Sequence, residues 1–565
     1  MNKFAIAHSI ESNYSFPISK KDYVVRLRVS KDDLIDHAYV LHGPKHLFQM
    51  KRYKTELKRL YLDMDYAYYE VTLRLKDYRL AYIFEIESQG KKYYLSSDGL
   101  TEEYNFKTSY YNFFQMAYVN ESDIIHEVSW VKDAIIYEIF VERFNRSKLD
   151  KNGDYITLKW NDKPTPKAFF GGTLNGIREK LNYLKKLGIN TIYLTPIFKA
   201  PSNHKYDTID YYTVDPQFGG EVAFKDLVEE IHKLGMRVIL DAVFNHISDI
   251  SSLFLDVKEK GKNSKYYNWF IIYGDIEKGE YEHFSICKYM PKLNTSNEEV
   301  KEYLIGIGKY YASEYKIDGW RLDVSDEISH SFWKSFRREL KAINKDLLLT
   351  GENWQDGTPY LRGDEFDGIM NYPFTKYIND LLAFNVLTPE EFMYKLNFLR
   401  LRYPTQIMNS NWNLLDSHDT FRFYTQVKKN ENKALLGCAI QMFYTGIPCV
   451  YYGDEIPLEG EFDPDCRRGM DFKRINSKNE FFKTYKALIH LRRDSKIIKY
   501  GFLDISCKND ILSFKRSYKG NTIGLVMNLS KNEILLPKGK IILSNNTQGE
   551  FLLPYGFLVM REELN

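Results

Sequence analysis

LNGIREKLNYLKKLGINTIYLTPIF, residues 174–198, reads as an amphipathic helix running into a buried strand. Leu174, Ile177, Leu181, Leu184 and Leu187 recur at the helical period, Gly188 offers a left-handed stop, and TIYLTPIF follows as an apolar strand. The unit recurs at 224–246, FKDLVEEIHKLGMRVILDAVFNH, where Phe224, Leu227, Val228, Ile231 and Leu234 form the stripe and Gly235 ends it. Six further strand candidates share this character: AIIYEIFVERF (134–144), DGWRLDV (318–324), LLLTGENW (347–354), FDGIMNYPF (366–374), WNLLDSHDT (412–420) and GIPCVYYGDE (446–455). Eight strands alternating with helices over roughly 370 residues predict an α/β fold, a (β/α)8 TIM barrel with its site at the C-terminal strand ends. A doubly wound open sheet is the alternative.

Outward from the barrel the pattern changes. YVVRLRV (23–29), YEVTLRL (69–75) and LAYIFEIE (80–87) alternate with period two, which predicts an N-terminal β-sandwich over 1–121. The barrel then spans 122–502, and the stretch 247–296 after the third strand is too long for a loop and predicts a small inserted domain. ILSFKRSY, NTIGLVMN, EILLP and GFLVMRE, separated by KGN and PKGK turns, predict a C-terminal antiparallel β-sandwich domain over 503–565.

Composition narrows the partners. Lys and Arg number 79 against 76 Asp and Glu, a net charge of +3 with no long basic run, which argues against nucleic acid. No stretch approaches the ~20 apolar residues of a membrane span. The opening MNKFAIAHSIESNYSF lacks the apolar run of a secretory signal. The five cysteines, odd in number and without a C-x-x-C pair, suggest reduced thiols rather than disulfides or zinc. Together these point to the cytoplasm. Aromatic residues make up 16% of the chain, which suits sugar stacking but equally suits core packing.

Ionisable residues gather at the ends of the strands that the barrel reading requires: Asp241, Asn245 and His246; Arg321 and Asp323; Glu352; His418 and Asp419. Singly, each is a common cap or turn residue; their joint placement points to a site. DAVFNH (241–246), GWRLDVSDE (319–327), GENW (351–354) and SHDT (417–420), in this order and spacing, resemble the four sequence regions of the alpha-amylase family, glycoside hydrolase family 13. HKYDTIDYYTVDPQFG (204–219), MPKLN (290–294) and DPDCRRGM (463–470) resemble the branch of cyclomaltodextrinases, neopullulanases and maltogenic amylases, as does the N-terminal domain.

The resemblance implies a retaining glycosidase acting on alpha-1,4-glucosidic bonds of cyclodextrins, pullulan and short maltodextrins, with transglycosylation where a sugar instead of water intercepts the covalent intermediate. Asp323 is then the nucleophile, Glu352 the general acid/base and Asp419 the carboxylate that binds sugar hydroxyls, a chemistry that two carboxyls of unlike protonation can perform. Arg321, two residues before Asp323 and so on the same strand face, is expected to keep the nucleophile ionised. The resemblance also implies that Tyr206 stacks under the sugar ring, His246 and His418 bind its hydroxyls, Asp463 and Arg467 hold the next sugar and Trp354 lines the leaving-group side. It further implies a homodimer through the N-terminal domain. A glucanotransferase, an alpha-1,6-acting member or a non-catalytic glycan-binding barrel are the other readings.

No cofactor is expected for catalysis. Asn145, Asp150, Asn152 and Asp154 offer oxygens for a structural Ca2+ ion, though a solvated turn explains them equally and Thr173 stands where related enzymes carry an aspartate. Asn353 and Asp416 are two further departures, the latter where the branch usually has glycine.

Overall fold

The structure is a computed structural model that describes residues 1–148, 150 and 153–561. It forms two compact units, one of residues 1–127, 361–363 and 390–408, the other of 128–360, 364–389 and 409–565.

In the second unit the predicted strands are β1 Ile136–Ile139, β2 Thr191–Leu194, β3 Arg237–Ala242, β4 Gly319–Leu322, β5 Leu348–Gly351, β6 Gly368–Ile369, β7 Trp412–Leu414 and β8 Ile447–Tyr451. All pairings are parallel and run β6-β5-β4-β3-β2-β1-β8-β7. A parallel bridge between Met370 and Trp412 joins β6 to β7, so each strand neighbours the next in sequence and the sheet closes as a barrel. This excludes the open doubly wound sheet. Tyr193, Ile239, Leu348, Met370, Trp412 and Ile447 are buried and pack together as part of its core.

Helix α1, Leu174–Leu187, buries the predicted stripe and stops at Gly188, whose φ of 110° is left-handed. Helix α2, Gly220–Lys233, ends one residue before Leu234, and Gly235 at φ 70° turns the chain into β3. FDGIMNYPF divides: only Gly368–Ile369 stays in the sheet, because Pro373 opens the helix α3, Tyr372–Leu382. At the start of α1, Thr173 caps the helix, its hydroxyl accepting from the Gly176 N–H at 3.0 Å. Thr173→Ala is expected to cost about 1 kcal/mol, read as a lower thermal midpoint than wild type.

The segment after β3 folds as the helix Ser252–Lys260, short 3-10 turns and isolated antiparallel bridges such as Phe270 to Leu293 and His283 to Pro291. The C-terminal part of this unit is an antiparallel sheet built on Phe502–Lys508, Ile511–Tyr518, Asn521–Asn528 and Phe551–Arg561.

The first unit holds two antiparallel sheets. Val25, Leu27 and Val29 of one and Val40, Tyr82, Phe84 and Ile86 of the other bury into a common core. Within the same unit the helix Pro389–Leu401 brings Asn397 to donate to the Leu62 carbonyl at 3.0 Å and packs Leu401 on Tyr61 and Tyr68.

Candidate active site

Residues just beyond the C-terminal ends of β3, β4, β5 and β7 line one cavity of about 360 Å³. Its wall includes Tyr206, His246, Asp323, Glu352, Trp354, Asp419, Asp463 and Arg467. Arg321 and His418, both fully buried, lie behind that wall and act on it through their partners.

Arg321 organises the floor. Register places Asp241 of β3 beside Arg321 of β4, and strand alternation puts Asp323 on the same face. The guanidinium Nη1 lies 3.0 Å from both Asp241 oxygens and 2.7 Å from Asp323 Oδ1, and Nη2 lies 2.9 Å from Glu352 Oε1. One positive charge thus serves three buried carboxyl groups. Burial, with the neighbouring Glu352 and Asp241, pushes the Asp323 carboxyl well above its ordinary range against the pull of Arg321. Desolvation thus works against the expected support of Arg321, whose charge stays 2.7 Å from Asp323 Oδ1. Glu352 is also raised, by burial and then by Asp419 against Arg321.

The two carboxyls differ in their hydrogen bonds. Glu352 Oε2 accepts from the Val324 N–H at 2.9 Å and Oε1 from the Trp354 indole N–H at 3.2 Å. The first bond is delivered by Val324 at φ 43°, a left-handed conformation that a β-branched residue adopts only under strain. Asp323 Oδ2 is buried and has no protein partner, which leaves it free to face a ligand atom.

Asp419 is held from two sides. Its Oδ2 lies 3.1 Å from His418 Nε2, and its Oδ1 accepts from Arg467 Nη2 at 3.0 Å. Against the upward push of burial, His418 and Arg467 keep Asp419 below the usual carboxylate range. Burial works against charge on His418, but Asp419 and Glu138 prevail and raise it. Arg467 also pairs with Asp463 at 2.9 Å. Tyr206 stacks on His418 at 5.6 Å and 12°, and its hydroxyl bridges His418 Nε2 and Asp241. His246, desolvated and near Lys292, is lowered to about 3, so it is a neutral hydrogen-bonding group, and its Nε2 is unpartnered. Trp354 stacks on Tyr372 at 3.8 Å, nearly parallel, and remains half exposed at the rim.

Residues 138–474 match the model of the alpha amylase catalytic domain, and residues 1–120 match that of the alpha amylase N-terminal ig-like domain. The chain belongs to the alpha-amylase family. It is a glycosidase, and it is 38% identical over 557 residues to a cyclomaltodextrinase of Thermoanaerobacter pseudethanolicus, covering 97% of this chain and 95% of that one. It is 37% identical to the intracellular maltogenic amylase of Bacillus subtilis, over 96% and 95% of the two chains. Among solved structures, a cyclomaltodextrinase superposes with a TM-score of 0.90 at 34% identity, covering 100% and 98%. The type III pullulan hydrolase from Thermococcus kodakarensis gives 0.83 at 27% identity, covering 99% and 100%.

Alpha-amylase family hydrolases need no cofactor for catalysis. The calcium loop fares less well as a cage. Asn152 lies outside the described residues, Asp154 is exposed, and Asn145 donates through its amide to the Gly176 carbonyl at 3.0 Å. Asp150 accepts from Asn175 at 2.8 Å, leaving Oδ2 buried and unpartnered. Thr173, in place of the missing aspartate, spends its oxygen on the helix cap. Among the described residues this donor set falls short of the six to eight oxygens that calcium takes.

Four residues of this family site escape the motif reading. Glu138, in the middle of β1, accepts from His418 Nδ1 at 2.6 Å across 280 positions. His204 lines the cavity beside Tyr206, with its pKa lowered to about 3 by burial and then by Arg467. Phe284 and Tyr289 of the segment after β3 also line it, Phe284 stacking on His246 at 4.8 Å. His204 opens the HKYD motif; the other three are placed by long-range packing.

Proposed function

We propose that this alpha-amylase family glycosidase cleaves alpha-1,4-glucosidic bonds of cyclodextrins, pullulan and short maltodextrins with retention of the anomeric configuration. The observation that carries the reading is the unpartnered Asp323 Oδ2 at the cavity floor beside a raised, hydrogen-bonded Glu352. Oδ2 attacks the anomeric carbon while Glu352 gives its proton to the departing glycosidic oxygen, so the C–O bond breaks as the ester forms. Glu352, now ionised, takes a proton from water, whose oxygen displaces Asp323 from the same carbon. Two displacements restore the starting configuration.

Asp419 holds the sugar hydroxyls, with His418 3.1 Å behind it, and binds most strongly where the ring gains charge. His246 binds hydroxyls as a neutral imidazole. Tyr206 offers its ring to the sugar face, Asp463 and Arg467 hold the neighbouring sugar, and Trp354 lines the leaving-group side. The proposal extends to a cytoplasmic homodimer formed through the N-terminal domain. The relative named as an intracellular maltogenic amylase supports its location, and a monomer mass by light scattering would remove the dimer.

Initial rates on beta-cyclodextrin, pullulan, soluble starch and maltotriose test the reading, with the product anomer followed by NMR. Cyclodextrin cleaved faster than starch, with an alpha product released first, is expected. Inverted product, or starch cleaved faster than cyclodextrin, counts against it; dominant transfer products favour a glucanotransferase.

A further inference from the structure

His204 and Tyr206 line the cavity, and their rings lie 5.9 Å apart at 29°. Lys205, between them, lies behind the wall and is fully buried. Its φ is 65°, a left-handed conformation that any residue with a Cβ adopts at a cost. A buried cation and a strained backbone thus coincide at one residue, and each needs a compensating contact.

The ammonium supplies that contact. It has three N–H donors and meets three acceptors: Nζ lies 2.8 Å from Asp215 Oδ2, 3.0 Å from the Ala200 carbonyl oxygen and 2.5 Å from Gln217 Oε1. Phe169 and Phe218 stand around it, with ring centres 5.8 and 5.2 Å from Nζ. The acceptors are themselves fixed. Asp215 is buried and opens the 3-10 turn Pro216–Phe218, its Oδ1 accepting from the Gln217 N–H at 2.8 Å and its Oδ2 from the Ala200 N–H at 3.1 Å. Ala200 and Asp215 flank the excursion that the antiparallel pair Phe198–Lys199 and Asp210–Val214 closes. Lys205 therefore ties the part of this excursion that carries Tyr206 to its base.

Other bonds shape the turn. Ser202 Oγ accepts from the Lys205 N–H at 3.0 Å, the Lys205 carbonyl accepts from Thr208 Oγ1 at 3.3 Å, and Asn203 donates to the Pro166 and Ala168 carbonyls at 2.9 Å each. Asn203 holds the entry, and Lys205 holds the residue next to the stacking ring. Tyr206 then reaches across the barrel, its hydroxyl 2.6 Å from His418 Nε2 and 3.0 Å from Asp241 Oδ2, while His418 Nε2 lies 3.1 Å from Asp419 Oδ2. A shift of the turn by about 1 Å breaks both hydroxyl bonds and displaces the ring offered to the sugar.

We infer that Lys205 is a positioning residue for the glycosidase reaction: its buried ammonium, bound by Asp215, Gln217 and the Ala200 carbonyl, holds the left-handed turn that sets Tyr206 against His418 and Asp241. The inference rests on the proposed function for its kinetic part; the placement of Tyr206 is measured without activity.

The test is a double-mutant cycle on beta-cyclodextrin, with Lys205→Met and Gln217→Ala each made in the wild type and in Tyr206→Ala. Lys205→Met keeps the stem and removes the charge, and is expected to lower kcat/KM about tenfold. Gln217→Ala removes one of the acceptors and is expected to lower it about threefold. In the Tyr206→Ala background both effects should shrink below about twofold, because the side chain through which they act is gone. A residue that merely stabilises the fold lowers activity by the same factor in both backgrounds, and that result overturns the inference. A crystal structure of Lys205→Met is expected to show the Tyr206 hydroxyl beyond hydrogen-bond reach of His418, and an unmoved Tyr206 overturns the inference as well. Should Lys205→Met fail to fold, Gln217→Ala carries both readouts. A wild type inactive on every glucan would end the functional reading, while the position of Tyr206 in the variant still decides what Lys205 holds.

Discussion

Replacing Asp323 by Asn is expected to lower kcat on beta-cyclodextrin by roughly 10⁵-fold, on the order of 7 kcal/mol of lost transition-state stabilisation. The amide matches the carboxylate in shape but cannot form the glycosyl ester, so KM should move far less than kcat. Stability should move the other way. Asp323 is buried beside Glu352 and Asp241 with one guanidinium among the three, and removing one anion relieves that crowding. A thermal midpoint equal to or above that of wild type is therefore expected alongside the loss of activity. Substantial residual turnover, with the folded state intact, would take the nucleophile's role away from Asp323.

Arg321→Met is expected to act on the opposite quantity. Methionine fills much of the arginine's volume but leaves Asp241, Asp323 and Glu352 facing one another without a cation. Removing one partner from a buried ionic cluster costs about 3–5 kcal/mol, because the remaining charge stays desolvated. The thermal midpoint should fall accordingly, and kcat with it, since Arg321 also contacts both reacting carboxyls. The sign with pH follows from the cause. Without the arginine these carboxyls are raised further in the folded state, so the variant loses stability as pH rises through their folded values, and its deficit against wild type widens toward neutral pH. A deficit that is constant between pH 5 and 8 would mean that the cluster is not held together by charge.

Legibility differed from residue to residue for physical reasons. Leu174, Ile177 and Leu181 announce α1 because helical periodicity is written into adjacent residues, and Asp323, Glu352 and Asp419 stand out because strand ends with polar residues recur in order. Arg321 and Asp323 share a face because strand alternation has a period of two. FDGIMNYPF reads as strand over its whole length because periodicity does not show where Pro373 begins a helix. Glu138 gave no signal, since a single acid in an apolar strand acquires meaning only when His418 arrives opposite it.

What the sequence by itself determined about this protein is the alternation of strands and helices, the flanking β-domains and the residues at the strand ends. These follow from local periodicity and from motifs whose spacing is a property of the chain. Only the tertiary structure decided how they work together. Closure through Met370 and Trp412, the stacking of Trp354 on Tyr372 and the grip of Arg467 on Asp419 all join distant segments. The protonation of Asp323 and Glu352 belongs to the same class. It depends on how much water burial removes and on how many charges converge, and both quantities exist only once the barrel has closed.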